Sequence, residues 1–176
     1  MRRTGFTLIE LLIVMAIIGI LAGLVMIAIT GANKKAQIGV AKATIDHLRT
    51  ALEMYKDDVG FYPPGDKAND EGNINMVLAL TDDSEVDGGK GGPNSPYYEF
   101  RAGDLKKSTF SPTYDVLLDP WGTPWSYTRA VDDGGNIKPG IHNKHSYDLY
   151  SWGPNTIDDD GENDRSQDKD DIANWH

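Results

Sequence analysis

The chain has 176 residues, a formal net charge of −10 and no cysteine. One apolar segment takes up about 25 of them, so the remainder suffices for one globular region with a modest core. The acidic balance excludes nucleic acid as a partner, because phosphate binding needs clustered Lys and Arg, and the missing cysteines exclude a disulfide framework, thiol catalysis and Cys-ligated zinc.

The first predicted element is an apolar helix from Phe6 to Ile29 that contains a single charged residue, Glu10. At 1.5 Å per residue its rise is about 36 Å, which is enough to span a bilayer. A plain signal anchor is the alternative interpretation. An ordinary secretory signal, however, has a shorter apolar region followed by its cleavage site, whereas here the dipeptide Gly5-Phe6 precedes the run.

Glu10 is unusual because a carboxylate in the middle of an apolar membrane helix costs about 2.5 to 3.5 kcal/mol, so it normally has a partner. Its side chain could instead reach the lipid headgroups. Cleavage after Gly5 would create a new α-amino group on Phe6, four residues away. Two staggered subunits could then pair the amine of one with the carboxylate of the other.

Residues 5–10, GFTLIE, resemble the class III signal of type IV pilins and pseudopilins. The resemblance implies that prepilin peptidase cleaves between Gly5 and Phe6, that Phe6 is N-methylated, and that Glu10 aligns subunits during assembly. It also implies a cytoplasmic leader, one crossing of the inner membrane and a periplasmic C-terminal part. The flanking charges alone leave this orientation open, because two arginines precede the run and two lysines follow it.

The same helix is predicted to continue to Lys56, since apolar residues recur at three- and four-residue steps: Ile38, Ala41, Ile45, Leu48, Leu52 and Tyr55. The opposite face carries charged residues that we expect to meet solvent or a neighbouring subunit: Lys35, Lys42, Asp46, Arg49, Glu53 and Lys56. Gly60 and then Pro63-Pro64 end the helix.

The middle of the chain is predicted to be rich in loops, at Gly65 to Gly72 and Asp82 to Pro96, with a short apolar helix from Asn75 to Leu80. Four apolar residues beyond these loops are core candidates, with an interface role as the alternative: Tyr97, Tyr98, Phe100 and Leu105. No catalytic constellation is present in this region.

A turn at residues 119–125, DPWGTPW, precedes a predicted strand from Trp125 to Arg129, and a second strand runs from Tyr147 to Trp152. The turn resembles a segment of major pseudopilins, a family that places two such strands side by side, antiparallel, over the long helix. A carbohydrate platform formed by Trp121 and Trp125 is the competing hypothesis for the tryptophans.

The C-terminal region concentrates negative charge in Asp158, Asp159, Asp160, Glu162, Asp164, Asp168, Asp170 and Asp171. Such a stretch either repels itself and stays disordered or is fixed by calcium, which takes six to eight oxygen ligands. An EF-hand does not fit, because Gly161 at the sixth loop position places Thr156 first and Gln167 twelfth. The spacing of His142, His145 and His176 does not indicate a zinc site.

The resemblance to major pseudopilins implies a calcium ion at this end of the chain. The matching positions are the carbonyl of Trp152, the side-chain oxygen of Asn155, and the carboxylates of Asp170 and Asp171. Two departures from the family pattern are present: Asn155 replaces an aspartate, and the loop from 157 to 169 is longer. Alternative ligands are therefore Asp158, Asp160 and Asp164.

We therefore expect an α+β, pilin-like fold with a long N-terminal transmembrane and amphipathic helix and a small antiparallel β-sheet. The expected segments are a leader peptide at 1–5, the transmembrane part of the helix at 6–30, its periplasmic part at 31–58, and a globular region with an acidic C-terminal loop at 59–176.

The expected function is that of a structural subunit of the periplasmic pseudopilus in type II secretion, not an enzyme. The implied partners are further copies of the chain in a helical homopolymer, minor pseudopilins, prepilin peptidase, the inner-membrane assembly platform and the inner membrane itself. A surface type IV pilus subunit is one alternative. A membrane-tethered enzyme or binding module, the other, has no convergent acid, base or nucleophile set to support it.

Overall fold

The computed structural model of the chain describes residues 7–66, 70–81, 96–132, 134–158 and 170–175. Two helices and five strands follow one another in this part, in the order α1 (Leu8–Val59), α2 (Glu71–Thr81), β1 (Leu105–Lys107), β2 (Asp115–Leu117), β3 (Ser126–Arg129), β4 (Tyr147–Ser151) and β5 (Ile172–Ala173). The chain divides into two compact units, Met1–Gln37 and Ile38–His176. The predicted α+β class is confirmed.

The first unit contains the beginning of α1, and its apolar side chains are exposed to a degree that is unusual for soluble proteins. Leu8 is 82% exposed, and the large apolar residues up to Leu24 remain between 46% and 67% exposed. In the part of the chain that the structure describes, no helix combines the length and the apolar character of a membrane span.

The core of the second unit is built on one stripe of α1, as the helical period predicted. Ala41, Ile45, Leu48, Leu52 and Tyr55 are buried in a single apolar cluster with α2 and the strands. The helix ends at Val59, three residues beyond the predicted end, where Gly60 adopts a φ of +94° that favours glycine.

The sheet that covers this stripe has the strand order β3-β4-β5, and both of its pairings are antiparallel. Ser126 is opposite Tyr150, and Tyr150 is opposite Ala173. The prediction that β3 and β4 are antiparallel neighbours is confirmed, with each strand one residue shorter than expected. β5 and the separate β1–β2 hairpin were not predicted from the sequence.

β3 also holds the segment that follows α1. Tyr127 is completely buried, and its hydroxyl donates a hydrogen bond of 2.8 Å to the carbonyl oxygen of Pro63. Burial raises the pKa of Tyr127 well above its ordinary value, so the hydroxyl remains protonated and keeps its role as donor.

The second helix is longer than predicted, because it begins at Glu71 and not at Asn75. Gly65 to Gly72 was predicted to be a loop, and this was wrong for its last two residues. A Cβ atom on Gly72 would lie 1.9 Å from the carbonyl oxygen of Tyr127. Close packing against β3 therefore requires glycine there, despite its low helix propensity.

Asn73, the next residue, connects α2 to β2 and to Trp125, directly before β3, through its buried side chain. Its Nδ2 donates to the carbonyl oxygens of Leu117 (2.9 Å) and Trp125 (2.8 Å), and its Oδ1 accepts from the amide of Leu117 (2.8 Å). One amide group thus satisfies three main-chain groups in the interior.

We expect Asn73→Ala to lower the free energy of unfolding by about 3 kcal/mol, because it leaves these buried main-chain groups without their partners. Urea unfolding followed by circular dichroism measures the change. Asn75→Ala, on a half-buried position of the same helix, is the control and should cost less than about 1 kcal/mol. Equal losses in the two variants would contradict this role of Asn73.

Candidate functional site

The N-terminal candidate site is described only from Thr7 onwards, so Gly5 and Phe6 lie outside the described residues. Glu10 stands in the first turn of α1, and its Oε2 accepts hydrogen bonds from the amide (2.8 Å) and the hydroxyl (2.7 Å) of Thr7. The amide of Glu10 in turn donates to the hydroxyl of Thr7 at 3.3 Å. These reciprocal contacts form a capping box at the start of the helix.

The capping box occupies only one oxygen of Glu10. Within the part of the chain that the structure describes, Oε1 of this carboxylate accepts no hydrogen bond. Glu10 is exposed among apolar side chains that are exposed as well. The geometry thus leaves a carboxylate oxygen available to a cation from outside the chain.

The C-terminal candidate site begins at the tight turn 153–156, directly after β4 and Trp152. Gly153 has a φ of +69°, and a Cβ atom there would lie 2.2 Å from the carbonyl oxygen of Asp170. The amide of Asn155 donates to Oδ1 of Asp170 at 3.3 Å. The fold therefore brings the turn and Asp170 together across 15 residues of sequence.

The remaining candidate ligands differ in their surroundings: one is buried, one accepts a hydrogen bond from a tyrosine, and two lie outside the described residues. Asp171 is completely buried, directly before β5. Asp158 accepts a hydrogen bond of 2.9 Å from the hydroxyl of Tyr150. Asp160 and Asp164 lie outside the described residues. Over the described ranges, no three His, Cys, Asp or Glu side chains form a group that could hold a metal ion.

The side-chain oxygen of Asn155 accepts a hydrogen bond of 2.7 Å from the amide of Ile157. This contact holds the turn after β4 in a local loop in which the asparagine side chain replaces a main-chain acceptor.

A second polar cluster, which was not predicted from the sequence, stabilises the start of the same turn. Oδ1 of the buried Asp119 accepts the amides of Trp121 (3.0 Å) and Thr123 (2.9 Å). Its Oδ2 accepts the hydroxyls of Thr123 (2.5 Å) and Ser151 (2.6 Å). The Ser151 hydroxyl oxygen also accepts the amide of Gly153 at 3.1 Å.

This cluster explains the DPWGTPW turn in physical terms. Asp119 closes the turn onto itself and then binds Ser151, which directs Gly153 toward Asp170. Trp125 is only 2% exposed, so it belongs to the core and cannot be one half of a carbohydrate platform with Trp121. That competing hypothesis is wrong.

The last strand is fastened by Asn174 and Trp175. Oδ1 of Asn174 accepts the amide of Leu149 and the side-chain amide of Asn143, both at 3.1 Å. The ring of Trp175 stacks on that of His142 with centroids 4.2 Å apart, and Nδ1 of His142 lies 3.2 Å from Oδ2 of the buried Asp148. His142 thus fastens the C-terminal segment to the loop before β4.

We expect Asp119→Asn to lower the free energy of unfolding by about 2 to 4 kcal/mol, because an amide cannot accept at both side-chain positions. Ser151→Ala should cost about 1 to 2 kcal/mol, and the double variant less than the sum, since the two side chains share one hydrogen bond.

The matched control is Asp115→Asn, which removes the same charge from an exposed ion pair with Lys107 and should cost less than about 1 kcal/mol. Chemical denaturation of all four proteins provides the comparison. Strictly additive losses would contradict the coupling between Asp119 and Ser151.

Comparisons with known proteins give a match to the N-terminal segment and matches to the whole chain. Residues 1–26 match the family model described as the prokaryotic N-terminal methylation motif. A protein from Pseudomonas aeruginosa named Type II secretion system core protein G is 33% identical over 174 residues, which cover 99% of this chain and 96% of the relative.

Other organisms have relatives of the same name. The protein from Escherichia coli K12 is 32% identical over 99% of this chain and 92% of its own length. The protein from Aeromonas hydrophila is 31% identical over 99% and 94%, respectively. The crystal structure of the major pseudopilin from the type 2 secretion system of enterohaemorrhagic Escherichia coli superposes with a TM-score of 0.48 and 18% identity, over 83% of this chain and 92% of that one.

Proposed function

We propose that this chain enters its filament as a single-pass inner-membrane protein. The chain belongs to the type II secretion system core protein G family and is a structural subunit of the secretion pseudopilus. Family membership decides for a secretion subunit over a surface type IV pilus subunit, a tethered enzyme or a binding module. The methylation motif and the family indicate a membrane-anchored periplasmic protein.

The observation that carries the assembly role is the unpartnered apolar surface at the start of α1. Over residues 8 to 24 the large apolar side chains are exposed on all sides of the helix. Apolar surface of this extent is stable only in lipid or against other apolar helices. The helix therefore lies in the bilayer before assembly and packs against other copies in a helical homopolymer afterwards.

The steps before assembly follow from the methylation motif. Prepilin peptidase removes the leader 1–5 by cleavage between Gly5 and Phe6, and the new amino group of Phe6 is then methylated. The C-terminal part is in the periplasm. The inner-membrane assembly platform and the minor pseudopilins are the remaining partners in this proposal.

Glu10 aligns the subunits in this proposal. The carboxylate already caps its own helix through Thr7, while Oε1 remains able to accept the α-amino group of Phe6 from a neighbouring copy. Because a charge in apolar surroundings is costly without a partner, the pairing favours one stagger between helices.

Two substitutions at Glu10 separate its capping role from its charge. Glutamine still fits the capping box, whereas alanine does not. If the charge aligns the subunits, Glu10→Gln and Glu10→Ala both lower the amount of assembled filaments at least about tenfold, the loss expected from about 1.4 kcal/mol. Chemical cross-linking in cells, followed by immunoblots for covalent multimers, measures this. Wild-type filament levels in Glu10→Gln would show that only the cap matters.

Calcium is the second part of the proposal, at the turn after β4. Asn155 and Asp170 are already in contact, and Asp171, directly after Asp170 in the sequence, is buried. The carbonyl of Trp152 and carboxylates from Asp158, Asp160 or Asp164 would raise the oxygen count toward the six to eight that calcium takes. Bound there, the ion would neutralise crowded carboxylates and hold the turn to β5.

We expect EGTA to lower the melting temperature of the processed, detergent-solubilised chain by about 5 to 10 °C, because an ion that binds only the folded state at about 100 times its Kd adds about 2.7 kcal/mol. Asp171→Asn should abolish the response to calcium. Asp132→Asn, in an exposed turn closed by Asn136, should retain it. An unchanged melting temperature of the unsubstituted chain in EGTA would refute the calcium site.

A further inference from the structure

A groove of about 300 Å³ lies between α1 and β5 in the second unit. Its helix side is formed by Lys42, Ile45, Asp46 and Arg49, and its strand side by Ile172, Ala173 and Asn174. Neither the N-terminal assembly surface nor the calcium ligands line this groove.

The groove carries a net positive charge on a chain whose formal net charge is −10, because Lys42 and Arg49 line it against one acidic residue, Asp46. Lys42 and Arg49 are exposed and lie seven residues apart, on the same face of the helix. In the part of the chain that the structure describes, neither of them takes part in an ion pair. The groove is therefore suited to an acidic segment.

The strand side of the groove offers main-chain hydrogen-bonding groups. The amide of Asn174 donates to the carbonyl of Leu149 at 3.0 Å, so this pair is of the hydrogen-bonded type. The next pair, Ala173 and Tyr150, is of the other type, and the N–H and C=O of Ala173 point away from β4. An extended segment could pair with this free edge of the sheet.

The chain itself contains an acidic segment of fitting chemistry at 159–169. It carries five carboxylates against two cations, a net charge of −3. On the N-terminal side, Asp158 is held by the hydroxyl of Tyr150. Tyr150 lies on the opposite face of β4 from Tyr147 and Leu149, which belong to the core with α1. Asp158, the residue before this segment, is thus bound on the sheet face that is turned away from α1.

We propose that this groove is a contact between subunits and receives residues 159–169 of a second copy of the chain. The inference rests on the assembly of the chain into a filament, as described above. Lys42 and Arg49 pair with the carboxylates that were not assigned to calcium, namely Asp159, Glu162 and Asp168.

Disulfide trapping tests this contact directly, because the natural chain has no cysteine. A full-length variant carries Asp46→Cys in the groove and Asn163→Cys in the acidic segment. In assembled filaments, oxidation should produce a ladder of covalent multimers, whereas either cysteine alone should give dimers at most. Fast-migrating monomers with an internal disulfide as the only product would overturn the proposal.

A second acidic region provides the competing occupant. Residues 82–95 are also rich in Asp and Glu, so Asp46→Cys is combined with Ser84→Cys in a parallel variant. A ladder with Ser84→Cys and none with Asn163→Cys would assign the groove to that region and refute the contact proposed above.

Charge exchange in the cysteine-free chain is the independent test. Lys42→Glu with Arg49→Glu should lower filament yield about three- to tenfold, in line with two exposed ion pairs, and adding Asp159→Lys with Glu162→Lys should restore it. Lys106→Glu with Lys144→Glu, which changes the net charge equally at exposed positions elsewhere, is the control.

Equal yields for the groove and control variants, or no rescue, would overturn the contact. The unsubstituted chain is assayed in parallel. If it forms no filaments, the assembly role itself fails, whereas normal filaments without rescue reject only the groove.

Discussion

The buried stripe of α1 from Ala41 to Tyr55 is the interaction on which the rest of the second unit depends. Its strands have only two to five residues each, and strands this short are not stable as isolated hairpins. Each fully buried large apolar side chain contributes about 1.5 to 3 kcal/mol. The strands therefore exist because the helix provides an apolar surface for them to cover, and the helix persists beyond its apolar start because they cover it.

Three polar side chains, two of them buried and one half-buried, then determine how the short elements are placed on that stripe. The buried Asn73 joins α2 to β2 and to the residue before β3, the buried Asp119 joins the turn before β3 to β4, and the half-buried Asn174 joins β5 to β4. Each satisfies main-chain or hydroxyl groups that no regular ladder reaches. In a chain without disulfides, these contacts give the loops a defined geometry.

The parts of the fold with a strong local period could be predicted from the sequence. The stripe of α1 and the strands β3 and β4 are examples, because the residue patterns that predict them extend over only a few neighbouring positions in the sequence. β5 has two residues and no alternation, and its place depends on Asn174 and Trp175. The early start of α2 depends on the contact between Gly72 and Tyr127, which no local pattern indicates.

The same distinction holds for the candidate sites. Residues 5–10 form a linear motif, so the processing site and Glu10 could be named from the sequence alone. Asn155 and Asp170 were named together only as calcium ligands that the resemblance to a family implies, and their hydrogen bond is seen only in the structure. The bond between Asp119 and Ser151 spans 32 residues and belongs to no motif, so only the structure reveals it.

The close approach of Gly153 to Asp170 also bears on how such chains diverge. It holds Gly153 and Asp170 together beside the sheet, so the sheet does not depend on how many residues lie between them. In general, the free-energy cost of closing a chain segment rises by only about 0.6 kcal/mol for each doubling of its length. Insertions between these two anchors therefore cost little in folding, and evolution can vary this part of the subunit's surface while leaving the filament core alone.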